Sequence, residues 1–348
     1  MSFTRLDPSD FVVSADSVTA PAWSNNVPTL NAFFTASSTA TGSYYVDAYN
    51  GEFTNISSSV QFSVAYGNIY GSGSAPLNSL VPGNSPTRIT FGQFRNIIYG
   101  DAESPVNFGS GNTGSVDLIA IQVDRNRYKE SLFPGTFNLK LSYKTNTAPI
   151  QLTDNSNDIS TITYLDCGRA FDIISGSNGS AAASPLLSGA PSKGYTASGS
   201  YGLYLPDVGL ILLNPRALYL NAAGGGIDLA FLTGSANSTV QASSYNNNAI
   251  FEAINSGSFF QLNSQETISS DYIFVRIKNQ DYNYTTNPSF ISGSGTLIYS
   301  NFINSPQTFP TSVGLYNDNN ELLAVAKMSK PLTKDFTKEA LIRVKLDF

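Results

Sequence analysis

In the stretch Val60-Gln-Phe-Ser-Val-Ala-Tyr66, the apolar residues Val60, Phe62, Val64 and Tyr66 stand at every second position. Successive side chains of an extended chain point to opposite faces, so this spacing sends all four to one side. The stretch reads as a half-buried β-strand. Phe137–Tyr143 repeats the pattern with Phe137, Leu139, Leu141 and Tyr143. Ala340–Phe348 repeats it again, with Ile342, Val344, Leu346 and Phe348 on one wholly apolar face. The end of that face, Leu346 and Phe348, is expected to be buried, with a neighbouring chain as one candidate cover. Leu118-Ile-Ala-Ile-Gln-Val123 is apolar almost throughout, the pattern of a buried strand.

Further strand candidates are Ser43–Tyr49, Arg88–Tyr99 and Asp271–Asn279. Tyr201–Leu213 reads as strand, turn at Pro206-Asp207, strand. Ser312–Tyr316 and Leu322–Ala326 flank Asn317-Asp-Asn-Asn-Glu321, which supplies turn chemistry for a hairpin. Ile150–Leu152 and Thr161–Leu165 flank the polar run Asp154-Asn-Ser-Asn-Asp158, a second expected hairpin. The best helix candidate is Ala249–Asn255, capped by Gly257. Hydrophobic residues make up 41% and aromatics 12%, while Met numbers 2 and charged residues only 13%. Few strong helix formers and many Tyr, Phe, Thr and Gly favour strands joined by turns. The expected fold class is all-β: mainly antiparallel sandwich- or barrel-like strands, long loops, and at most one or two short helices.

Four segments are expected. Residues 1–42, punctuated by Pro8, Pro21 and Pro28, read as an extended arm that needs another surface to pack on. Residues 43–174 form a β-domain. Residues 175–200, rich in Ser, Gly and Ala, read as a flexible loop or hinge. Residues 201–348 form a second β-domain carrying the hairpin and the terminal strand. Residues 67–87 are a long Gly/Ser/Pro loop, and Gly224-Gly-Gly226 is a permissive link.

Composition excludes several chemistries. The chain has 348 residues, no His and one Cys, so it holds no Ser-His-Asp set, no His-ligated zinc and no internal disulfide. With Lys+Arg 19 against Asp+Glu 25, the net charge is −6, a poor match for duplex nucleic acid. No apolar run approaches the ~20 residues of a membrane helix. The N-terminus lacks the basic start and apolar core of a secretory signal. Free Cys167 fits assembly in a reducing cytoplasm. No Gly-rich loop ends in Gly-Lys-Ser/Thr, so no phosphate cradle is expected. Asp154, Asp158, Asp166, Asp172, Glu252 and Glu266 are carboxylates that glycoside hydrolysis could use, but most acids merely solvate a surface. Asp154–Asp158 and Asn317–Glu321 resemble oxygen-rich cation loops without the twelve-residue calcium pattern, so turn residues are the better reading. No catalytic residue, cofactor or metal is expected.

The candidate functional residues are interface residues. The only Trp, Trp23, lies in the arm. Asp124-Arg-Asn-Arg-Tyr-Lys-Glu130 is the densest charge cluster. If the preceding strand continues, Arg125 and Arg127 share one face, and with Tyr128 they form either an inter-subunit patch or a solvated strand end. Residues 1–120 carry three basic and eight acidic residues, whereas 321–348 carry six basic and four acidic ones. An acidic front and a basic tail could pair between subunits, or the lysines could simply guard an edge strand.

Several stretches resemble a virion structural-protein family of the contractile-tailed myophages of cyanobacteria and marine bacteria. They are Leu6-Asp-Pro-Ser-Asp-Phe-Val-Val-Ser-Ala-Asp-Ser-Val-Thr-Ala-Pro-Ala-Trp-Ser24, Val123-Asp-Arg-Asn-Arg-Tyr-Lys-Glu130 and Phe133-Pro-Gly-Thr-Phe-Asn-Leu139. Gly202-Leu-Tyr-Leu-Pro-Asp-Val-Gly209 and Leu213-Asn-Pro-Arg216 belong with them. Val313-Gly-Leu-Tyr-Asn-Asp-Asn-Asn-Glu-Leu-Leu-Ala-Val-Ala-Lys327 is also similar to a hairpin of phage tail-collar and tail-fibre modules. The resemblance implies a virion tail protein of the baseplate or fibre attachment. Its partners would be copies of itself and other tail proteins in threefold or sixfold rings, with no nucleic acid, membrane or catalytic residue involved. A head or neck decoration or collar protein is an alternative with the same composition. A carbohydrate-binding or depolymerising receptor protein is a further one, since Tyr-rich β surfaces stack on sugars.

Overall fold

The computed structural model describes residues 4–30, 35–37, 44–52, 54–74, 85–109, 114–142, 149–183, 192–219, 226–229, 242–285 and 287–348. Tyr143, parts of the arm and of the 67–87 and 175–200 loops, and most of Gly224–Gly226 lie outside these residues. The strands of the first half are β1 (Phe11–Pro21), β2 (Thr29–Leu30), β3 (Thr35–Ser37), β4 (Tyr45–Tyr49), β5 (Val60–Asn68), β6 (Asp117–Val123), β7 (Ser131–Leu132), β8 (Asn138–Leu141) and β9 (Ile150–Asp154). Those of the second half are β10 (Thr163–Leu165), β11 (Gly168–Ser177), β12 (Ser180–Ala181), β13 (Gly202–Leu205), β14 (Leu210–Leu213), β15 (Phe260–Gln261), β16 (Asn263–Ile277), β17 (Ser312–Tyr316), β18 (Leu322–Lys327) and β19 (Ala340–Asp347). The helices are α1 (Pro86–Tyr99), α2 (Pro215–Leu218), α3 (Ala242–Gly257) and α4 (Ser300–Asn304). Strand accounts for 40% and helix for 17%, so the protein is all-β with a few helices, four among the described residues.

The chain divides into two compact units, Val18–Glu266 and Met1–Ser17 with Thr267–Phe348. The larger is built on one curled antiparallel sheet in the order β2-β15-β8-β9-β11-β13-β14-β6-β5-β4-β3. Its central strands are covered on both faces, which explains their unbroken apolar runs. From β6, Ile119, Ile121 and Val123 enter one core with Ile250 and Ile254 of α3, while Leu118 and Ala120 enter a second with Phe91 and Ile98 of α1. β14 splits the same way, Ile211 and Leu213 against Leu210 and Leu212. Phe62 meets Phe260 edge-on at 5.3 Å and Phe137 stacks on Tyr204 at 5.2 Å, so the curl brings distant strands onto one aromatic cluster.

Arg88–Tyr99 is helical, not a strand. Ser85 occupies the N-cap position, Pro86 the first turn, and Gly100 the left-handed C-terminal position (φ 69°). Phe91 and Ile98, two turns apart, are fully buried. α1 approaches β5 so closely that a Cβ at Gly67 would lie 2.8 Å from the Phe91 amide nitrogen. The candidate Ala249–Asn255 is part of the longer α3.

The arm is not detached. β2 pairs with β15 and β3 with β4. The division also falls elsewhere than at 175–200, because β11 pairs with β13 and unites the expected 43–174 and 201–213 strands in one sheet. Asp154–Asp158 closes no hairpin: β9 pairs with β8 and β11, and β10 with β11. The hairpins β13–β14 and β17–β18 form as read.

Candidate assembly surface

The smaller unit has little interior. In its sheet β16 lies between β1 and β19. The β16–β19 register sets Ile273 opposite Val344, Val275 opposite Ile342 and Asp271 opposite Leu346. Among the described hydrophobic residues of this unit, Ile273, Ile277 and Val344 alone are buried. Polar contacts hold much of the rest. Arg276 Nε lies 2.7 Å from Asp10 Oδ1. Lys334 is fully buried and donates to the Asn279 carbonyl at 3.0 Å and to Asn283 Oδ1 at 2.6 Å.

Many large apolar side chains of this unit are exposed. Among the described residues it carries 19 of the 31 exposed large hydrophobics, although it holds under a third of the chain. Phe11, Val12 and Val13 stand exposed on β1, an edge strand. The β17–β18 ribbon is apolar on both faces. Val313 pairs with Ala326 and Leu315 with Ala324 on one face, while Gly314 leaves Val325 uncovered on the other. Val325 and Leu323 are 62% and 68% exposed. An isolated two-stranded ribbon is marginal in water, and one with two apolar faces needs cover. Phe336, Leu341 and Phe348 extend the exposed set, Phe348 being 75% exposed.

Four of the interface residues read from sequence behave differently from expectation. Trp23 is buried within its own chain, its Nε1 donating to the Phe260 carbonyl at 2.8 Å and its ring edge-on to Phe62 and Phe260. A side chain already enclosed has no surface left for a neighbour's pocket. Strand β6 does not continue into the charge cluster. Asp124 accepts from the Asn126 amide and starts a 3-10 turn, Arg125–Arg127, so the two arginines do not share a strand face. Arg125 folds back over the Tyr128 ring at 4.6 Å and donates to the Tyr128 carbonyl at 2.6 Å. Arg127 donates to Ser24 Oγ at 2.6 Å, joining the Ser24–Ser59–Gln61 network beside Trp23. Tyr128 is buried, and a Cβ at Gly209 would lie 2.6 Å from its ring. This cluster stitches one chain together. Leu346 is half-buried and Phe348 exposed in the single chain.

Asp154, Asp172 and Asp207 are tied into the fold by hydrogen bonds. Burial pushes the Asp154 carboxyl up, against hydrogen bonds from Ser156 and the Gly135 amide that hold it down. Asp172 is likewise raised by burial and accepts from Tyr195. Asp207 is lowered: burial opposes its charge, but Arg169 outweighs burial through three guanidinium contacts and its backbone amide. Among the described residues no group of three acids or Cys could hold a metal, and no helix is long and apolar enough to cross a membrane.

The exposed face of the small unit was missed from sequence. Its signal was the loss of alternation in Phe11-Val-Val13 and Leu322-Leu-Ala-Val325, which puts apolar groups on both sides of a strand. No family model, curated protein or solved structure matches the chain.

Proposed function

We propose that this chain is a structural subunit of a tailed-phage virion, in the baseplate or at a fibre attachment, acting by assembly and without catalysis. The observation that carries the reading is the outward-facing apolar load of the 4–17 and 267–348 unit. Covering exposed apolar area yields roughly 25 cal/mol per Å² removed from water, a driving force for association. The partners are copies of the chain and other tail proteins, and closed threefold or sixfold rings suit a surface that must not propagate. The quoted resemblance to myophage structural proteins, and the collar-like Val313–Lys327 hairpin, support the tail address. The test is electron microscopy of phage particles with gold-labelled antibody raised against the chain. Label at the distal tail supports the reading. Label on the head or neck replaces it with the decoration or collar role, and a chain missing from purified particles by mass spectrometry removes the virion role.

A further inference from the structure

The face of the large sheet beneath α1 carries a cleft of about 210 Å³ that opens to solvent. Its floor is made of small side chains, Ser63 and Ala65 of β5 and Ala120 of β6, with Ala65 and Ala120 opposite one another in the ladder. Tyr45, in register with Ala65, and the adjacent Tyr44 line it from the β4 side. Thr90, Gln93 and Phe94 line it from α1. Tyr44 and Tyr45 are 40% and 48% exposed. The hydroxyls of Tyr44, Tyr45 and Thr90 and the Gln93 amide make no hydrogen bond among the described residues. No charged side chain lines the cleft.

These features select a ligand class. An anion would find no counter-charge, and the nearest carboxylate, Asp47, is engaged by the Ser63 hydroxyl. A purely apolar ligand would strand the amide and three hydroxyls. Aromatic rings beside neutral donors and acceptors suit a molecule with a flat C–H face and a rim of hydroxyls. We propose that the cleft between Tyr45 and α1 binds one uncharged pyranose. The ring stacks on tyrosine while Gln93 and Thr90 bond its hydroxyls. No carboxylate lines the cleft, so the sugar is held and not cut. The cleft residues all belong to the larger unit, and the proposal stands or falls without the assembly surface.

The test is saturation-transfer-difference NMR on the full chain with four probes: methyl α-glucoside, methyl α-galactoside, methyl α-mannoside and N-acetylglucosamine. The expected result is saturable transfer to ring C–H protons of at least one probe at millimolar concentration. Tyr45→Ala weakens it about tenfold, the scale of one lost aromatic contact. Gln93→Leu, on the exposed side of α1, weakens it severalfold. Tyr164→Ala, an exposed tyrosine that does not line the cleft, leaves it unchanged. Absence of transfer for all four probes, or equal transfer in Tyr45→Ala and Tyr164→Ala, overturns the proposal.

Discussion

The indole N–H of Trp23 donates to the carbonyl oxygen of Phe260 at 2.8 Å, across 237 positions of sequence. This contact fastens the N-terminal segment to the core of its own chain. Trp23→Ala empties a buried aromatic site and is expected to cost about 3–5 kcal/mol of stability in urea unfolding. Trp23→Phe keeps a ring but removes one donor to the Phe260 carbonyl, at about 0.5–1.5 kcal/mol. A Trp23→Ala chain with unchanged stability and impaired assembly would restore the inter-subunit role.

Gly67 and Gly209 mark places where packing excludes a side chain. Gly67 admits the backbone of α1, which cannot yield as a flexible side chain can. Gly209, at φ 66°, admits the Tyr128 ring. Each Gly→Ala change is expected to destabilise by about 1–3 kcal/mol, the usual scale of overpacking. A thermal melt within a degree of wild type would contradict the close approach.

Asp207 titrates below the ordinary carboxylate range because Arg169 holds its charged form against the opposing effect of burial. A depressed folded pKa gives stability that is present above the unfolded value, near 3.9, and lost as pH falls through the folded value. Wild type should therefore exceed Asp207→Asn in stability at about pH 6, with the gap closing below about pH 4. Asp154 and Asp172, raised by burial, contribute with opposite sign: stability present at low pH and lost as pH rises through their folded values. A gap between wild type and Asp207→Asn that widens in acid would refute the Arg169 assignment.

Lys334 satisfies two neutral oxygens in the interior of the small unit. Lys334→Ala leaves the Asn283 amide oxygen unpaired, at about 1–3 kcal/mol, while the Asn279 carbonyl keeps the donation from Asn283 Nδ2. Hydrogen exchange should accelerate around 279–283 and at the Thr308–Lys334 bridge, with the large sheet unaffected. Unchanged exchange there would show that the ammonium does not hold this unit.

Much of the β framework was legible. Val60–Tyr66 alternates because one of its faces packs on the first core, and β6 reads as a buried run because both of its faces are covered. α1 was misread because Ile89, Ile97 and Ile98 and three Phe and Tyr residues favour a strand locally. The flanking Pro86 and Gly100 were the helix signals, and tertiary packing on β5 settled the outcome. The place of Trp23 was not legible, since it depends on Phe260 and on the β2–β15 pairing. Nor was the assembly surface: an apolar strand reads alike whether its own chain or a neighbour covers it.

The central claim is that Leu323, Val325, Phe336 and Phe348 are covered on assembly. The direct measurement is oxidative footprinting of these residues in the free chain and in purified particles, read by mass spectrometry. The account predicts strong modification in the free chain and protection in the particle, with Tyr164 as an exposed reference on the large unit. Equal modification of the four residues in both states would contradict it.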